Sequence, residues 1–289
     1  MAKSDQERRT KGADRHGKRP RHSAQNGPKK QGTKPAARSQ NRSQQAGTLP
    51  PDRVRLYGLH TVRAALDNPH RAALRLFANE AGLARLGEVP RELEIRGADS
   101  ASLQALVGAE AVHQGVVLEC KVLDGLDASE LFHLADENLL LALDQITDPH
   151  NVGAVLRSAV AMGVGAVLMT SRNAASETGV LAKSASGALD MVRMVQLRHF
   201  SKGLAELNAM GFATIGLDSE GPLELRETLQ KNGGEKLCLV LGSEGKGLRQ
   251  QTRETCSALA RLDMPGEIKS LNVSNAAALS LYLAHLHLR

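Results

Sequence analysis

The sequence predicts an α/β fold with a parallel sheet in the C-terminal half of the chain. Short apolar runs alternate with helical segments from about residue 53 to the end of the 289-residue chain. Several runs, such as 139–143, are continuously apolar, which is typical of strands buried on both faces of a parallel sheet. The runs at 237–241 and 259–262 lead directly into loops of small and polar residues, where open α/β sheets normally bind their ligands.

The first 52 residues differ in composition from the rest. Residues 1–50 contain 13 Lys and Arg against three Asp and Glu, whereas the whole chain has a formal net charge of only +6. Large apolar side chains are scarce here, so the segment cannot bury enough surface to offset the entropy of ordering. We therefore predict a disordered basic tail over 1–52. Either it holds a phosphate backbone through counterion release or it is only a solubilising extension.

Composition also argues against several classes of protein. No apolar run approaches the length of a membrane span, and the N-terminus lacks the apolar core of a secretion signal. Cys120, Cys238 and Cys256 are far apart and lack metal-type spacing, so we expect neither a disulfide framework nor a metal site. We expect a cytoplasmic protein with no membrane partner.

Residues 53–122 are predicted to form a small α/β domain. A strand near residue 54 passes into a helix that ends at Asn68-Pro69, because the residue before a proline disfavours helical dihedral angles. The later elements alternate, with strands at 74–78, 93–95 and 115–120 and helices at 81–86 and 100–107. Polar and acidic residues over 123–138 are predicted to form a linker with some helix.

Residues 139–289 are predicted to form a second α/β domain. Its strands are the apolar runs at 139–143, 166–170, 191–195, 213–217, 237–241 and 259–262. Its helices are predicted at 152–162, 180–186, 201–210 and from about residue 272 to the end. Asn272, Ser274 and Asn275 are each suitable caps for the last helix.

Two glycine-rich segments do not match nucleotide-binding motifs. The segment 242–247 is not a Walker phosphate loop, because Val240 stands where the first glycine belongs and Gly247 where Ser or Thr belongs. The segment 163–165 is too short for a dinucleotide fingerprint and follows a helix instead of a strand.

Three loops at the carboxyl ends of predicted strands carry polar residues. Asn151 is expected to cap a helix, and Arg157 follows it among small apolar residues, where a charge needs a partner. Glu244 on the glycine loop is a natural partner for that guanidinium. Ser270 and Asn272 lie at a strand-to-helix turn. Taken singly, each has an ordinary explanation. Arg157 could be a surface arginine, Glu244 a solvated loop acid, and Ser270 with Asn272 a helix cap.

Three segments of the second domain also carry sequence motifs. Residues 151–158 read N-x-G-A-x-x-R-S, residues 239–248 read L-x-L-G-S-E-G-x-G-L, and residues 264–274 read M-x-G-x-x-x-S-L-N-V-S. Together they resemble the motifs of the SpoU class, also called TrmH-like, of S-adenosylmethionine-dependent RNA ribose 2′-O-methyltransferases. The match covers 139–289. It departs from the family pattern at Asp263, where proline is usual, and at Pro265, a commonly small position.

The upstream domain carries Tyr57-Gly58-Leu59-His60 near its start and Val112-His113-Gln114-Gly115 near its end. It is similar to the substrate-binding domain of the branch of this family that modifies a guanosine in 23S, large-subunit ribosomal RNA. The resemblance implies a SPOUT-type domain with a trefoil knot, and a homodimer whose active sites form at the subunit interface.

The resemblance also implies roles for individual residues. The catalytic residues would be Arg157, Glu244, Ser270 and Asn272, and Asn151 would contact the substrate. The main chain at Gly242, Leu262 and Leu271 would contact S-adenosylmethionine. Arg157 either acts as a base in a desolvated site or stabilises the developing alkoxide by its charge.

The expected reaction is methylation of a ribose 2′-hydroxyl in RNA, at a guanosine of 23S ribosomal RNA. Two alternatives stay open, namely a tRNA ribose 2′-O-methyltransferase of the same class and a noncatalytic RNA-binding or ribosome-assembly factor. The four residues Arg157, Glu244, Ser270 and Asn272 argue against a noncatalytic factor, which would have no physical reason to keep them together.

Overall fold

The computed structural model describes residues 49–171 and 177–289. The predicted basic tail, 1–52, therefore lies almost entirely outside the described residues, and its disorder stays a prediction. The predicted α/β fold is confirmed, since the described residues form one four-stranded sheet and one seven-stranded sheet, each flanked by helices. The trefoil knot implied by the resemblance stays a prediction.

The first sheet is built from residues 53–121 and is mixed. Its strands are β1 (Arg53–Tyr57), β2 (Ala73–Ala78), β3 (Glu94–Gly97) and β4 (Val116–Lys121), in the spatial order β1-β4-β2-β3. β4 lies antiparallel to β1 and β2, whereas β2 and β3 are parallel. The alternation of strands and helices was predicted. The relative directions of the strands could not be predicted, because they depend on the position of β4 between β1 and β2.

Three helices connect these strands, and their ends follow local chemistry. They are α1 (Leu59–Asp67), α2 (Glu80–Leu86) and α3 (Ser100–Val107). Asn79 caps α2 by accepting a hydrogen bond from the Gly82 amide at 2.7 Å, and Asp99 caps α3 by accepting one from the Ser102 amide at 2.8 Å. α1 ends at Asn68, directly before Pro69, as predicted.

The second sheet is parallel throughout, as the apolar runs predicted. Its strands are β5 (Leu139–Asp144), β6 (Ala166–Thr170), β7 (Arg193–Leu197), β8 (Ala213–Leu217), β9 (Leu223–Glu224), β10 (Leu237–Gly242) and β11 (Ala258–Arg261). Their spatial order is β7-β6-β5-β10-β8-β11-β9, with every pairing parallel. The central pair, β5 and β10, consists largely of fully buried side chains, which is the reason both read as continuous apolar runs.

Six α-helices lie in the described part of this second half, residues 139–171 and 177–289. They are α4 (Pro149–Ala161), α5 (Gly179–Ala185), α6 (Phe200–Ala209), α7 (Leu225–Asn232), α8 (Gln250–Thr255) and α9 (Val273–His287). The prediction that Asn151 caps α4 is wrong. The cap is Asp148, whose carboxylate accepts a hydrogen bond from the Asn151 amide at 3.0 Å, while Pro149 occupies the first helical turn. Asn151 therefore lies inside the helix.

Several short elements were not predicted. β9 has two residues, and α8 is a polar segment that buries only Thr252, so neither carries a clear apolar period. α7 buries Leu225, Thr228 and Leu229 at helical spacing, and this signal was overlooked in a short, otherwise polar segment. The 3-10 helix Ala128–Leu134 lies within the predicted linker, where some helix was expected, whereas the 3-10 helix Ala188–Asp190 was missed. The strand predicted at 191–195 starts two residues later, because Met191 completes the turn that follows the second of these 3-10 helices.

A buried cluster of ion pairs connects the half of the protein that contains the mixed sheet with the half that contains the parallel sheet. The Arg71 side chain is completely buried and donates to Asp190 at 2.7 Å, to Glu177, and to the Lys121 carbonyl at 3.0 Å. Asn68 adds a hydrogen bond to the same Asp190 oxygen at 3.1 Å. Residues from both halves thus belong to one compact unit, and the predicted boundaries 53–122, 123–138 and 139–289 stay predictions.

None of the helices within 49–171 and 177–289 is long and apolar enough to span a membrane.

Candidate active site

The three polar loops lie at the carboxyl edge of the parallel sheet. β5 and β10 are neighbours, with Asp144 in register with Gly242, so the loops that follow them start side by side. β11 is separated from β10 by β8. The loop between β11 and α9, residues 262–272, must therefore pass back over the edge of the sheet to reach the other two.

The carboxylate of Glu244 joins these loops. One oxygen, Oε1, accepts hydrogen bonds from Asn151 Nδ2 at 3.0 Å and from Asn272 Nδ2 at 2.9 Å. The same oxygen accepts one from the Val273 amide at 3.2 Å. Asn272 Nδ2 also donates to Asn151 Oδ1 at 3.0 Å, which closes the triangle. The structure thus brings together three of the predicted site residues, one from each motif, and we call them the Glu244 cluster.

Asn272 has a second function as the cap of α9. Its Oδ1 accepts hydrogen bonds from the amide of Ser274 at 2.9 Å and from its hydroxyl at 2.6 Å. Its amide nitrogen therefore points to Glu244 and Asn151 while its oxygen fixes the helix start. The prediction that α9 begins near Asn272 is confirmed.

The glycine loop that carries Glu244 folds tightly on itself. A bridge joins Ser243 to Gly247, whose amide donates to the Ser243 carbonyl at 2.9 Å. Gly247 has a φ of 63°, which side chains disfavour. A Cβ on Gly242 would lie 2.1 Å from the carbonyl carbon of Gly247, so only glycine fits there. The loop consequently presents main-chain groups without side chains over them.

A buried carboxylate beneath this loop was missed from the sequence. Asp144, at the end of β5, is 1% exposed and accepts hydrogen bonds from the Arg249 amide at 3.2 Å and from its Nε at 2.7 Å. The Arg249 guanidinium lies 5.7 Å from the centroid of the Phe200 ring. This pair ties the end of β5 to the end of the glycine loop. An acid that closes a continuously apolar strand was the available signal.

Arg157 is not paired with Glu244 within one chain. The predicted ion pair is therefore wrong for the single chain. Its side chain is exposed, and it makes no hydrogen bond or ion pair with any residue that the structure describes. α4 points Val155, Leu156 and Ala159 into the core, and the helical period places Arg157 away from that face. Its apolar neighbours in sequence are therefore not its neighbours in space.

The remaining predicted residues lie on the loop 262–272. Ser270 is exposed and has no hydrogen-bond partner among the described residues. Leu271 is 38% exposed beside Asn272, and Leu262 packs partly against the core. Lys269 Nζ donates to the Met264 carbonyl at 2.7 Å and closes the loop. Ser270 and Leu271 thus directly precede Asn272 of the Glu244 cluster, and among the described residues neither makes a side-chain hydrogen bond to it.

The thiols near the site are not poised to react. Burial, followed by the charge of Asp144, raises the pKa of Cys256 to about 12, and burial raises the pKa of Cys238 as well. Both stay protonated near neutral pH, so neither is a nucleophile. Within the described ranges, no three His, Cys, Asp or Glu side chains are grouped so that they could hold a metal ion.

Comparison with known proteins gives two family matches. The family model described as SpoU rRNA Methylase family matches residues 138–282, which span the parallel sheet and the Glu244 cluster. A second, described as RNA 2′-O ribose methyltransferase substrate binding, matches residues 55–124, which span the mixed sheet.

Full-length relatives and a solved structure agree with these two family matches. The protein named 23S rRNA (guanosine-2′-O-)-methyltransferase RlmB from Coxiella burnetii is 34% identical over 78% of this chain and 93% of its own length. Its namesake from Acinetobacter baylyi is 34% identical over 79% of this chain and 95% of its own. The solved structure of the SpoU methyltransferase AviRb from Streptomyces viridochromogenes has a TM-score of 0.70 at 20% identity, over 81% of this chain and 90% of its own, which shows the shared fold. The chain belongs to the SpoU rRNA methylase family.

Proposed function

We propose that this protein methylates the ribose 2′-hydroxyl of a guanosine in 23S ribosomal RNA, with S-adenosylmethionine as the methyl donor. As a member of the SpoU rRNA methylase family, the chain is an RNA ribose 2′-O-methyltransferase. The observation that carries the proposal is the Glu244 cluster, in which three residues up to 121 positions apart meet at one sheet edge. The names of the Coxiella and Acinetobacter relatives support the choice of RNA and nucleoside. A cytoplasmic location is part of this proposal.

The main chain around the Glu244 cluster fits the cofactor. Gly245 and Gly247 carry no side chain, and nothing lies within 4 Å of the Cβ position of either, so the main chain of the glycine loop is open to the close approach of an adenosine. We assign the main chain at Gly242, Leu262 and Leu271 to cofactor binding, because the loops that carry them flank the cluster. S-adenosylmethionine supplies an activated methyl group on a sulfonium, so the protein itself must orient and activate the hydroxyl.

Arg157 is the group we assign to the hydroxyl. A guanidinium stays protonated in proteins, so its charge would stabilise the alkoxide character that develops as the hydroxyl oxygen takes the methyl group, S-adenosylhomocysteine leaves and the hydroxyl proton passes to water. The same charge would hold the adjacent phosphate. The alternative, in which Arg157 loses its own proton, needs a desolvated site. We assign the electrostatic role, because a guanidinium keeps its proton in nearly all settings.

A homodimer would complete the site. Leu279, Tyr282 and Leu286 share one side of α9 and are 51%, 52% and 45% exposed, so this stripe is available to a second copy. α9 packs on α4, the helix that carries Arg157. We propose that dimerisation through this region brings Arg157 of one subunit to the Glu244 cluster of its partner.

The other polar residues have positioning roles in this proposal. Glu244 and Asn272 hold the loops in place, since their hydrogen bonds connect α4, the glycine loop and α9. Asn151 and the exposed Ser270 would contact the RNA.

The experiment is a methyl-transfer assay on unmodified 23S rRNA transcript with isotopically labelled S-adenosylmethionine, followed by nucleoside analysis. The expected product is 2′-O-methylguanosine at one position. Methylation of tRNA instead would move the substrate to the tRNA class, and a lack of both transfer and S-adenosylmethionine binding would favour a noncatalytic factor.

A further inference from the structure

A cleft of about 470 Å³ lies between the two halves of the protein, apart from the Glu244 cluster. One wall comes from the mixed-sheet half, with Val112 and Glu110 in the loop after α3. The other comes from the parallel-sheet half, with Val180 and Lys183 of α5 and His150 at the start of α4. Neither the methyl transfer nor the proposed cofactor site uses these side chains.

Two segments that the sequence marked as family-like meet at this cleft. The Leu59 amide donates to Gln114 Oε1 at 3.1 Å, so the segments 57–60 and 112–115 are joined directly. Lys183 Nζ donates to the same Gln114 oxygen at 3.2 Å, although it belongs to the other half. Gly58 has a φ of 88°, and a Cβ there would lie 2.3 Å from Lys183 Nζ. A glycine at this position therefore leaves room for the lysine.

The cleft combines apolar walls with polar groups. Val112 is 66% exposed and Val180 is 39% exposed, so each wall presents an apolar side chain to the cleft. Lys183 supplies an ammonium donor, although partial burial lowers its pKa. Glu110 supplies an acceptor for amino groups. A flat ring with hydrogen-bonding edges and an adjacent anionic group satisfies all of these, which is the chemistry of an unstacked nucleotide.

The cleft also faces the proposed reaction site along α4. His150 lines the cleft, and Arg157 follows it by seven residues, so both side chains lie on the same face of the helix. They are roughly 10 Å apart along the helix axis. Asn151, the residue after His150, belongs to the Glu244 cluster. An RNA strand held in the cleft therefore leads to Arg157.

We propose that this cleft binds an unstacked base of the RNA strand that flanks the methylated nucleotide, with Val112 and Val180 packing on its faces and Lys183 contacting its edge or phosphate. The inference rests on the proposed function. It makes Lys183 and Val112 determinants of RNA specificity, separate from the residues that carry out methyl transfer.

The test measures methyl transfer by the full-length protein to 23S rRNA transcript for Lys183→Met and Val112→Asp. Lys183→Met keeps the aliphatic stem and removes the charge. The matched control is Lys202→Met, which alters a lysine on α6 whose side chain is 75% exposed. We expect KM for RNA to rise about tenfold or more in both cleft variants, as for the loss of one charge-assisted contact or one packed base. The dissociation constant for S-adenosylmethionine should match that of the control in both variants. The thermal midpoint should match for Val112→Asp and fall by roughly 2–4 °C for Lys183→Met, which also loses the hydrogen bond to Gln114.

A second readout separates RNA contact from a purely structural effect. Transcript substituted with 4-thiouridine or 6-thioguanosine should cross-link to peptides that contain residues 107–112 or 180–184. Unchanged KM in both folded variants, or cross-links confined to other peptides, would overturn the cleft assignment. Failure of the wild-type protein to methylate any RNA would instead overturn the proposed function.

Discussion

At the scale of single residues, Glu244 connects the site because one carboxylate oxygen serves three donors. Asn151, Asn272 and the Val273 amide all converge on Oε1. A carboxylate has enough lone pairs for such convergence, and charge strengthens each bond. Arg157 stands apart from this arrangement, since it is exposed and off the buried face of its helix. A single chain thus holds the three loops of the Glu244 cluster in place, while the Arg157 guanidinium lies outside that cluster.

Replacing Arg157 tests the role of that cation. We expect Arg157→Ala to abolish detectable turnover, because the developing alkoxide loses its stabilising charge, while S-adenosylmethionine binds as before. Turnover and calorimetric affinity are the two measurements. Arg226→Ala removes an exposed arginine on α7 and serves as the control. A near-normal rate for Arg157→Ala would remove Arg157 from the chemistry.

At the scale of elements, the glycine loop depends on close backbone contacts. Gly242 ends β10 and packs against the main chain of Gly247 and Leu248, while Asp144 and Arg249 hold the loop to β5 from below. These contacts form only when the loops after β5 and β10 are adjacent, which the parallel pairing of the two strands provides.

Gly242→Ala should therefore displace the loop. The added Cβ would lie 2.1 Å from the Gly247 carbonyl carbon and 2.4 Å from the Leu248 nitrogen, so backbone must move. We expect turnover to fall roughly 100-fold, the cost of a displacement of about 1 Å at a reaction site, with weaker cofactor binding. Gly234→Ala is the matched control, because a Cβ there meets nothing within 4 Å. Equal activity of the two variants would contradict the packing argument.

The sequence was informative about elements and less so about how they meet. Continuous apolar runs predicted the parallel strands, and Asn272 predicted the start of α9, because both signals are local. The pairing of Arg157 with Glu244 is wrong within one chain, since apolar neighbours in sequence suggested a buried charge where the helix leaves the side chain exposed. Asp144 was missed because its partner, Arg249, lies 105 residues away. The Glu244 cluster was expected only through the resemblance, as spacing alone cannot bring loops together.

At the scale of the whole molecule, the buried Arg71 cluster fixes the two halves relative to each other. The Arg71 and Asp190 side chains are both 0% exposed. Arg71 belongs to the mixed-sheet half and Asp190 to the parallel-sheet half. Removing one member of a buried pair leaves the other charge without compensation. The orientation of the cleft towards α4 therefore depends on this pair.

Asp190→Ala should destabilise the protein by about 3 kcal/mol in urea unfolding, the lower end for a broken buried pair, since the buried Arg71 would keep only Glu177 as a carboxylate partner. Asp67→Ala is the matched control. Its ion pair with Arg63 is at the surface, with the Asp67 side chain 62% exposed, so we expect a loss of about 1 kcal/mol or less. Similar losses for both variants would show that the Arg71 cluster does not hold the halves together.

The separation of Arg157 from the Glu244 cluster makes the composite site the central claim, and complementation between subunits tests it. Arg157→Ala and Glu244→Ala would be co-expressed with different tags, and mixed dimers isolated by tandem purification. Each variant alone should be inactive. In a mixed dimer, one site combines an intact Arg157 with an intact Glu244, so we predict about half of the wild-type activity per dimer. Inactive mixed dimers that still bind S-adenosylmethionine, or the failure to isolate any dimer, would contradict the account.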